Sequence, residues 1–190
     1  SAEELGLDAD RIIVFGQSSG GGIVASLSVL ARDRGGPKIC LQMPMYPMLD
    51  NTCSKPSNYE VVDPRVWNRD KNKFAWESYL GDLAKGDPKD VPPYAAALRT
   101  TDYRGLPPTF TFIGTLDLFR DETIEYVNKL AQAQVPVEFH LYPGCLHGVD
   151  IIAPNAKVSK DATALMIAAI KRAFVAADTK DNKDTKEASN

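Results

Sequence analysis

Cysteine is scarce in this chain and histidine scarcer still. Cys40, Cys53 and Cys145 stand far apart in 190 residues, and no two of them form a C-x-x-C pair. With only His140 and His147 beside them they do not make a zinc site, so no metal is expected. An odd and widely spaced set is no disulfide framework either; it suits a reducing compartment and so favours a cytoplasmic setting. Long apolar runs are missing too: none approaches the roughly 20 residues that cross a bilayer as a helix, so stable membrane insertion is not expected. There is no surplus of positive charge. Lys and Arg number 22 against 25 Asp and Glu, a net charge of −3, and no stretch interleaves basic with aromatic residues. Nucleic acid is therefore an unsuitable partner. The phosphate-cradling patterns G-K-[ST] and G-x-G-x-x-G are absent as well, and no organic cofactor is implied.

What is present is the composition of one globular domain, 44% hydrophobic and 25% charged. Four apolar runs rich in β-branched and aromatic residues read as strands: "RIIVFG" (11–16), "KICLQMPMY" (38–46), "TFTFIGT" (109–115) and "VEFHLYP" (137–143). The first is apolar on both faces, as a parallel strand covered on both sides would be, while the last alternates and suits a place nearer an edge. Helical stripes lie between and after them. They are Ile23, Val24, Leu27, Leu30 and Ala31, then Ile124, Val127, Leu130 and Ala131, then Ala162, Leu165, Met166, Ala169, Ile170 and Ala173. Alternation of this kind predicts an α/β fold with a mainly parallel sheet and helices on both faces. Residues of about 50–95 break the rhythm as an insertion, with a helix around "KNKFAWESYLG". "SAEELGLDADR" reads as the last turn of a helix stopped at Gly6, and residues 178–190 as a disordered charged tail beyond a domain of 1–177.

Chemistry enters at "VFGQSSGGG" (14–22). Of its two serines only Ser18 has glycine two positions away on both sides, the nucleophile-elbow pattern G-x-S-x-G, and the match falls where a strand gives way to a helix. Chance alone would give roughly 0.05 such matches in a chain of this composition. A glycine-rich crossover without chemistry is the alternative. A reactive serine needs a base and a group to orient the base. Asp117 stands just past the third strand and His147 in the loop after the fourth, so both share the carboxyl rim of the sheet with Ser18. Other candidates read more simply as structural. His140 lies within a strand, Asp121 and Glu122 suit the opening turn of a helix, Asp150 follows His147 too closely to orient it, and Cys145 has no elbow around it.

Four blocks in this order resemble the hormone-sensitive-lipase-like branch of the α/β-hydrolase esterases. They are "LGLDADRIIVFGQSSGGG", "MYPMLD", "GLPPTFTFIGTLDLFRDE" and "VPVEFHLYPGCLHG". The resemblance implies an α/β-hydrolase fold and a carboxylesterase or lipase-like activity, with Ser18 as nucleophile, Asp117 as triad acid and His147 as general base. It makes the Ser19 N–H an oxyanion donor and expects Gln17, Trp67, Leu118 and Val149 near a small-molecule ester substrate. Part of the family's lid would lie in the insertion, where Trp67, Phe74, Trp76 and Tyr79 could line an apolar pocket; Trp76 and Tyr79 also suit an ordinary core. Three positions depart from the family. Its elbow is most often G-D-S-A-G, whereas Gln17 and Ser19 stand here, and Val149 replaces a common phenylalanine, which would enlarge the pocket. The family's upstream H-G-G-G segment, worth about 10²–10³ in rate per oxyanion donor, has no counterpart in this sequence. The chain is therefore expected to be the C-terminal part, about four strands, of a larger hydrolase, with an N-terminal segment of the same protein as partner and a homodimer as a further option. A non-catalytic small-molecule receptor on the same fold, or an inactive fragment needing its other half, are the competing functions.

Overall fold

The computed structural model describes residues 2 and 4–187. Strand β1 (Ile12–Gln17) turns directly into α1 (Ser19–Asp33), which returns to β2 (Ile39–Met45). An excursion carrying α2 (Pro56–Glu60), α3 (Arg69–Leu80) and short 3₁₀ turns leads to β3 (Thr109–Leu116). Then come α4 (Arg120–Gln132), β4 (Val137–Leu146), α5 (Val149–Ile152) and α6 (Lys157–Glu187). The strands form one sheet in the order β1-β2-β3-β4, every neighbouring pair parallel. That is the α/β architecture expected from the alternating runs.

Parity along the central strands sorts the core into two layers. Leu41, Met43 and Met45 of β2 and Phe110 and Phe112 of β3 join Ala162 and Ala169 of α6 in one apolar cluster. On the other face Ala25 and Val29 of α1 meet Tyr126 and Leu130 of α4. Gln42 points to this second layer and is fully buried, yet it is satisfied. Its amide donates to Thr109 Oγ1 at 2.9 Å, and its carbonyl oxygen accepts from the Tyr126 hydroxyl at 3.2 Å.

Several boundaries move from their sequence positions. β4 runs on to Leu146, past the expected end at residue 143, because Gly144 takes a φ of +69° and its N–H donates to Thr115 Oγ1 at 2.8 Å. That irregularity carries the ladder past Pro143, so that Leu116 pairs with Leu146. The expected helix in the insertion is α3, capped by the Asn68 side chain, which accepts from the Lys71 N–H, and ended by Gly81 at φ +57°. The expected charged tail is helical instead as far as Glu187, since α6 continues through it; no glycine or proline follows Pro154 to stop a helix. Residues 188–190 of that expected tail lie outside the described residues, as do residues 1 and 3. Before β1 the chain makes a turn, with the Leu7 N–H donating to Ala2 O at 2.8 Å and Gly6 at φ +63°.

β1 and β4 are the two edges of the sheet among the described residues. Phe15 is 50% exposed, and on the neighbouring helix Ile23 and Leu27 also face outward. No helix among the described residues is long and apolar enough to cross a membrane.

Candidate active site

The junction of β1 and α1 is shaped by backbone contact. Ser18 occupies a φ of 58° and ψ of −120°, a combination that costs a non-glycine residue about 1–3 kcal/mol. Its own backbone is held on both sides: the N–H donates to Met45 O at 3.0 Å, and the carbonyl accepts from Gly22 and Met48, each at 3.1 Å. The glycines around it are there for close approach. A Cβ on Gly16 would lie 2.3 Å from Gly20 O, and one on Gly22 would lie 2.1 Å from Met48 O. Gly20 itself has open space where its Cβ would point, so only the first glycine of G-x-S-x-G is demanded by collision. α1 can thus begin pressed against the end of β2, with the Ser19 N–H in its first turn, where amides have no acceptor within the helix.

Three side chains meet above this turn. His147 Nε2 lies 2.9 Å from Ser18 Oγ, and His147 Nδ1 lies 2.8 Å from Asp117 Oδ2. The Asp117 side chain has no exposed surface, and its other oxygen accepts from the Phe119 N–H at 2.9 Å. A buried carboxylate in this position fixes Nδ1 as the protonated nitrogen and leaves Nε2 free to accept from the serine. Aromatic rings wall the imidazole: Tyr46 and Phe119 stand edge-on at 5.0 and 5.2 Å, and Trp67 stacks at 6.5 Å. Ser18, His147 and Asp117 thus form one hydrogen-bonded row.

A cavity of about 560 Å³ opens on Ser18 and Ser19, walled by Ile23, Met48, Trp67, Trp76 and Tyr79. Trp67 thus lies on the wall of this cavity. Trp76 is both core and wall, while Tyr79 is half exposed and is not an ordinary core residue. Leu118 corrects the sequence reading: its side chain has no accessible surface and packs in the core, because the residue after Asp117 turns inward. Val149 is half-buried at the start of α5 and, like Gln17, is outside the cavity's walls. The amide of Gln17 is engaged elsewhere, donating to Asp150 Oδ2 at 3.0 Å.

Two residues surpass what the sequence suggested. Glu122 is no exposed helix cap; it is fully buried, and its Oε1 accepts from the Leu49 N–H at 2.7 Å. Burial drives its carboxyl well above the usual carboxylate range, against the lowering effect of its N–H partners. Tyr46 is buried within the apolar cluster beside His147, and burial, with Asp150 adding to it, pushes its phenol upward. Neither role had a sequence signal beyond an apolar block for Tyr46 and an acid-rich turn for Glu122. His140 is structural, 3.0 Å from Glu138 and packed on Phe110. Burial raises the Cys145 thiol, which makes it a poor nucleophile. Among the described residues no group of three or more His, Cys, Asp or Glu is placed to hold a metal ion.

A strained serine turn between a parallel strand and a helix, with an acid and a histidine on the following strand ends, defines a class. The model of the alpha/beta hydrolase fold family matches residues 1–151, and the chain belongs to that family. Among its relatives is carboxylesterase NlhH of Mycobacterium tuberculosis, 36% identical over 92% of this chain and 54% of that protein. Esterase LipI of the same organism is 34% identical over 76% of this chain and 44% of its own. Of solved structures, a bacterial heroin esterase superposes with a TM-score of 0.86 at 43% identity, covering 90% of this chain and 54% of that one. Esterase LipW from Mycobacterium marinum gives 0.83 at 31%, covering 91% and 53%. The chain spans about half the length of these relatives, and its likeness to the hormone-sensitive-lipase-like esterases stands.

Proposed function

We propose that this chain carries the catalytic triad of a serine hydrolase that cleaves carboxylic esters of short to medium chain. The observation that supports it is the unbroken hydrogen-bonded path from Ser18 through His147 to buried Asp117, at the mouth of an apolar cavity. Ser18 Oγ attacks the ester carbonyl as His147 Nε2 takes its proton. Asp117 holds the imidazole in its tautomer and stabilises the imidazolium that forms. Negative charge developing on the carbonyl oxygen falls at the start of α1, where the Ser19 N–H and the helix dipole favour it. His147 then returns the proton to the departing alcohol. Water, activated by the same imidazole, releases the acid and restores Ser18. The aromatic and aliphatic wall of Trp67, Trp76, Met48 and Ile23 suits an apolar acyl or alcohol group, and no cofactor takes part.

Among the described residues the Ser19 N–H is the oxyanion amide assigned here, this chemistry ordinarily uses more than one, and Phe15, Ile23 and Leu27 beside the elbow face outward. A further segment of the same protein packed on β1 would supply a further amide and cover these side chains. Hydrolysis of p-nitrophenyl acetate, butyrate and decanoate tests the reading. The expected result is turnover favouring the shorter esters and abolished by Ser18→Ala; turnover unchanged by that substitution would remove Ser18 from the reaction.

A further inference from the structure

Gln17 is the elbow residue that this chemistry leaves without a task, and the structure gives its side chain a definite partner. Its Nε2 donates to Asp150 Oδ2 at 3.0 Å, joining two segments remote in sequence. One is the end of β1, immediately before Ser18; the other is the first turn of α5, immediately beyond the His147–Gly148 corner. Asp150 is also near the Tyr46 phenol. Its Oδ1 is buried without a hydrogen-bond partner, as is the Tyr46 hydroxyl, and after burial itself the charge of Asp150 helps to push that phenol upward. The Tyr46 ring in turn stands edge-on to His147 at 5.0 Å. Asp150, two residues beyond the Gly148 that follows His147, is thus tied to the turn that carries Ser18.

We propose that Gln17 and Asp150 are positioning residues, their hydrogen bond acting as a strut that holds the serine turn and the histidine loop at a fixed separation. The proposal rests on the esterase reading above. The polarity of the pair is what makes it work: an amide N–H meets a carboxylate, a charge-assisted bond stronger than one between neutral groups. An acid at position 17, usual in the resembling esterases, would set two carboxylates against each other here, and one would have to take up a proton. Gln17 and Asp150 are therefore matched as a pair. The departure from the common elbow is explained by a residue on the far side of the site.

The test is a swap. Gln17→Glu keeps the shape of the side chain, removes the donor and adds a charge. The kcat for p-nitrophenyl butyrate is expected to fall about 10- to 100-fold with KM changed less than about twofold, the pattern of a misplaced reacting group. Adding Asp150→Asn reverses the bond, the new amide donating to the new carboxylate, and restores kcat to within about threefold of wild type. A second measurement needs no turnover: the proton on His147 Nδ1, shared with Asp117, gives a far-downfield NMR signal. It is expected in the wild type, lost to exchange in Gln17→Glu, and recovered in the double variant. A wild type with the signal but no ester turnover overturns the esterase reading, and the strut is then judged on the signal alone. If Gln17→Glu keeps the wild-type signal, or the double variant remains as impaired as the single one, the strut is overturned. A wild type without the signal contradicts the geometry on which both rest.

Discussion

At Ser18 the backbone takes up a conformation that L-residues rarely adopt, and the surroundings hold it there through three backbone hydrogen bonds. This residue, Asp117 and His147 were legible in the sequence because each follows from a local rule. A glycine-flanked serine at the end of an apolar run, and an acid and a histidine at the ends of later runs, must share one rim of a parallel sheet. Gln17, Asp150 and Tyr46 were not legible in the same way, since their meaning lies in a contact between distant segments that no local pattern records. Leu118 was misread for a simpler reason: adjacency to Asp117 in sequence says nothing about which way a side chain turns. Glu122 offers a test at this scale. Its folded carboxyl holds a proton at pH values where the unfolded chain, with an ordinary value near 4.5, has lost it. Below 4.5 both states are protonated and Glu122 adds no pH dependence; above it, stability falls as pH climbs towards the folded value. The urea midpoint of the wild type is expected to drop relative to Glu122→Gln between pH 4.5 and pH 8. A constant difference would mean that the buried carboxyl does not titrate as described.

Among the elements, α1 matters most, because its first turn must lie against the end of β2 for the elbow to form. Periodicity located this helix, and the run of glycines signalled close approach without saying to what. The partner is backbone, the carbonyl oxygen of Met48 above all. Gly22→Ala is expected to destabilise the protein by about 1–3 kcal/mol, because the added methyl would drive the helix from the backbone that follows β2. Gly20→Ala meets nothing, and is expected to be neutral or to gain up to about 1 kcal/mol from better helix propensity. Thermal or denaturant unfolding of the two variants separates them; equal losses would show that the motif is rigid throughout. The insertion was harder to read, since its short helices and turns are fixed by side-chain contacts. Ser57 Oγ and Asn58 Nδ2, for example, both donate to Leu118 O, contacts that no periodicity announces.

For the whole molecule, the sheet among the described residues has two edges, β1 and β4, and β1 carries the more exposed aromatic residue. The parallel sense followed from the alternation of runs and stripes, whereas the order β1-β2-β3-β4 rests on pairings between segments distant in sequence. An apolar edge strand with a half-exposed phenylalanine is a surface that invites pairing. The chain of 190 residues is expected to associate as its concentration rises in sedimentation velocity, and Phe15→Lys to reduce that association. Concentration-independent behaviour of the unaltered chain would show that the edge is already protected.

Mass spectrometry of the protein after reaction with a fluorophosphonate, an analogue of the acylating ester, tests the central claim most directly. One adduct on Ser18 is expected, formed far more slowly in His147→Ala and absent from Ser18→Ala. Failure of the intact protein to form an adduct, or an adduct on Ser19 instead, would contradict it.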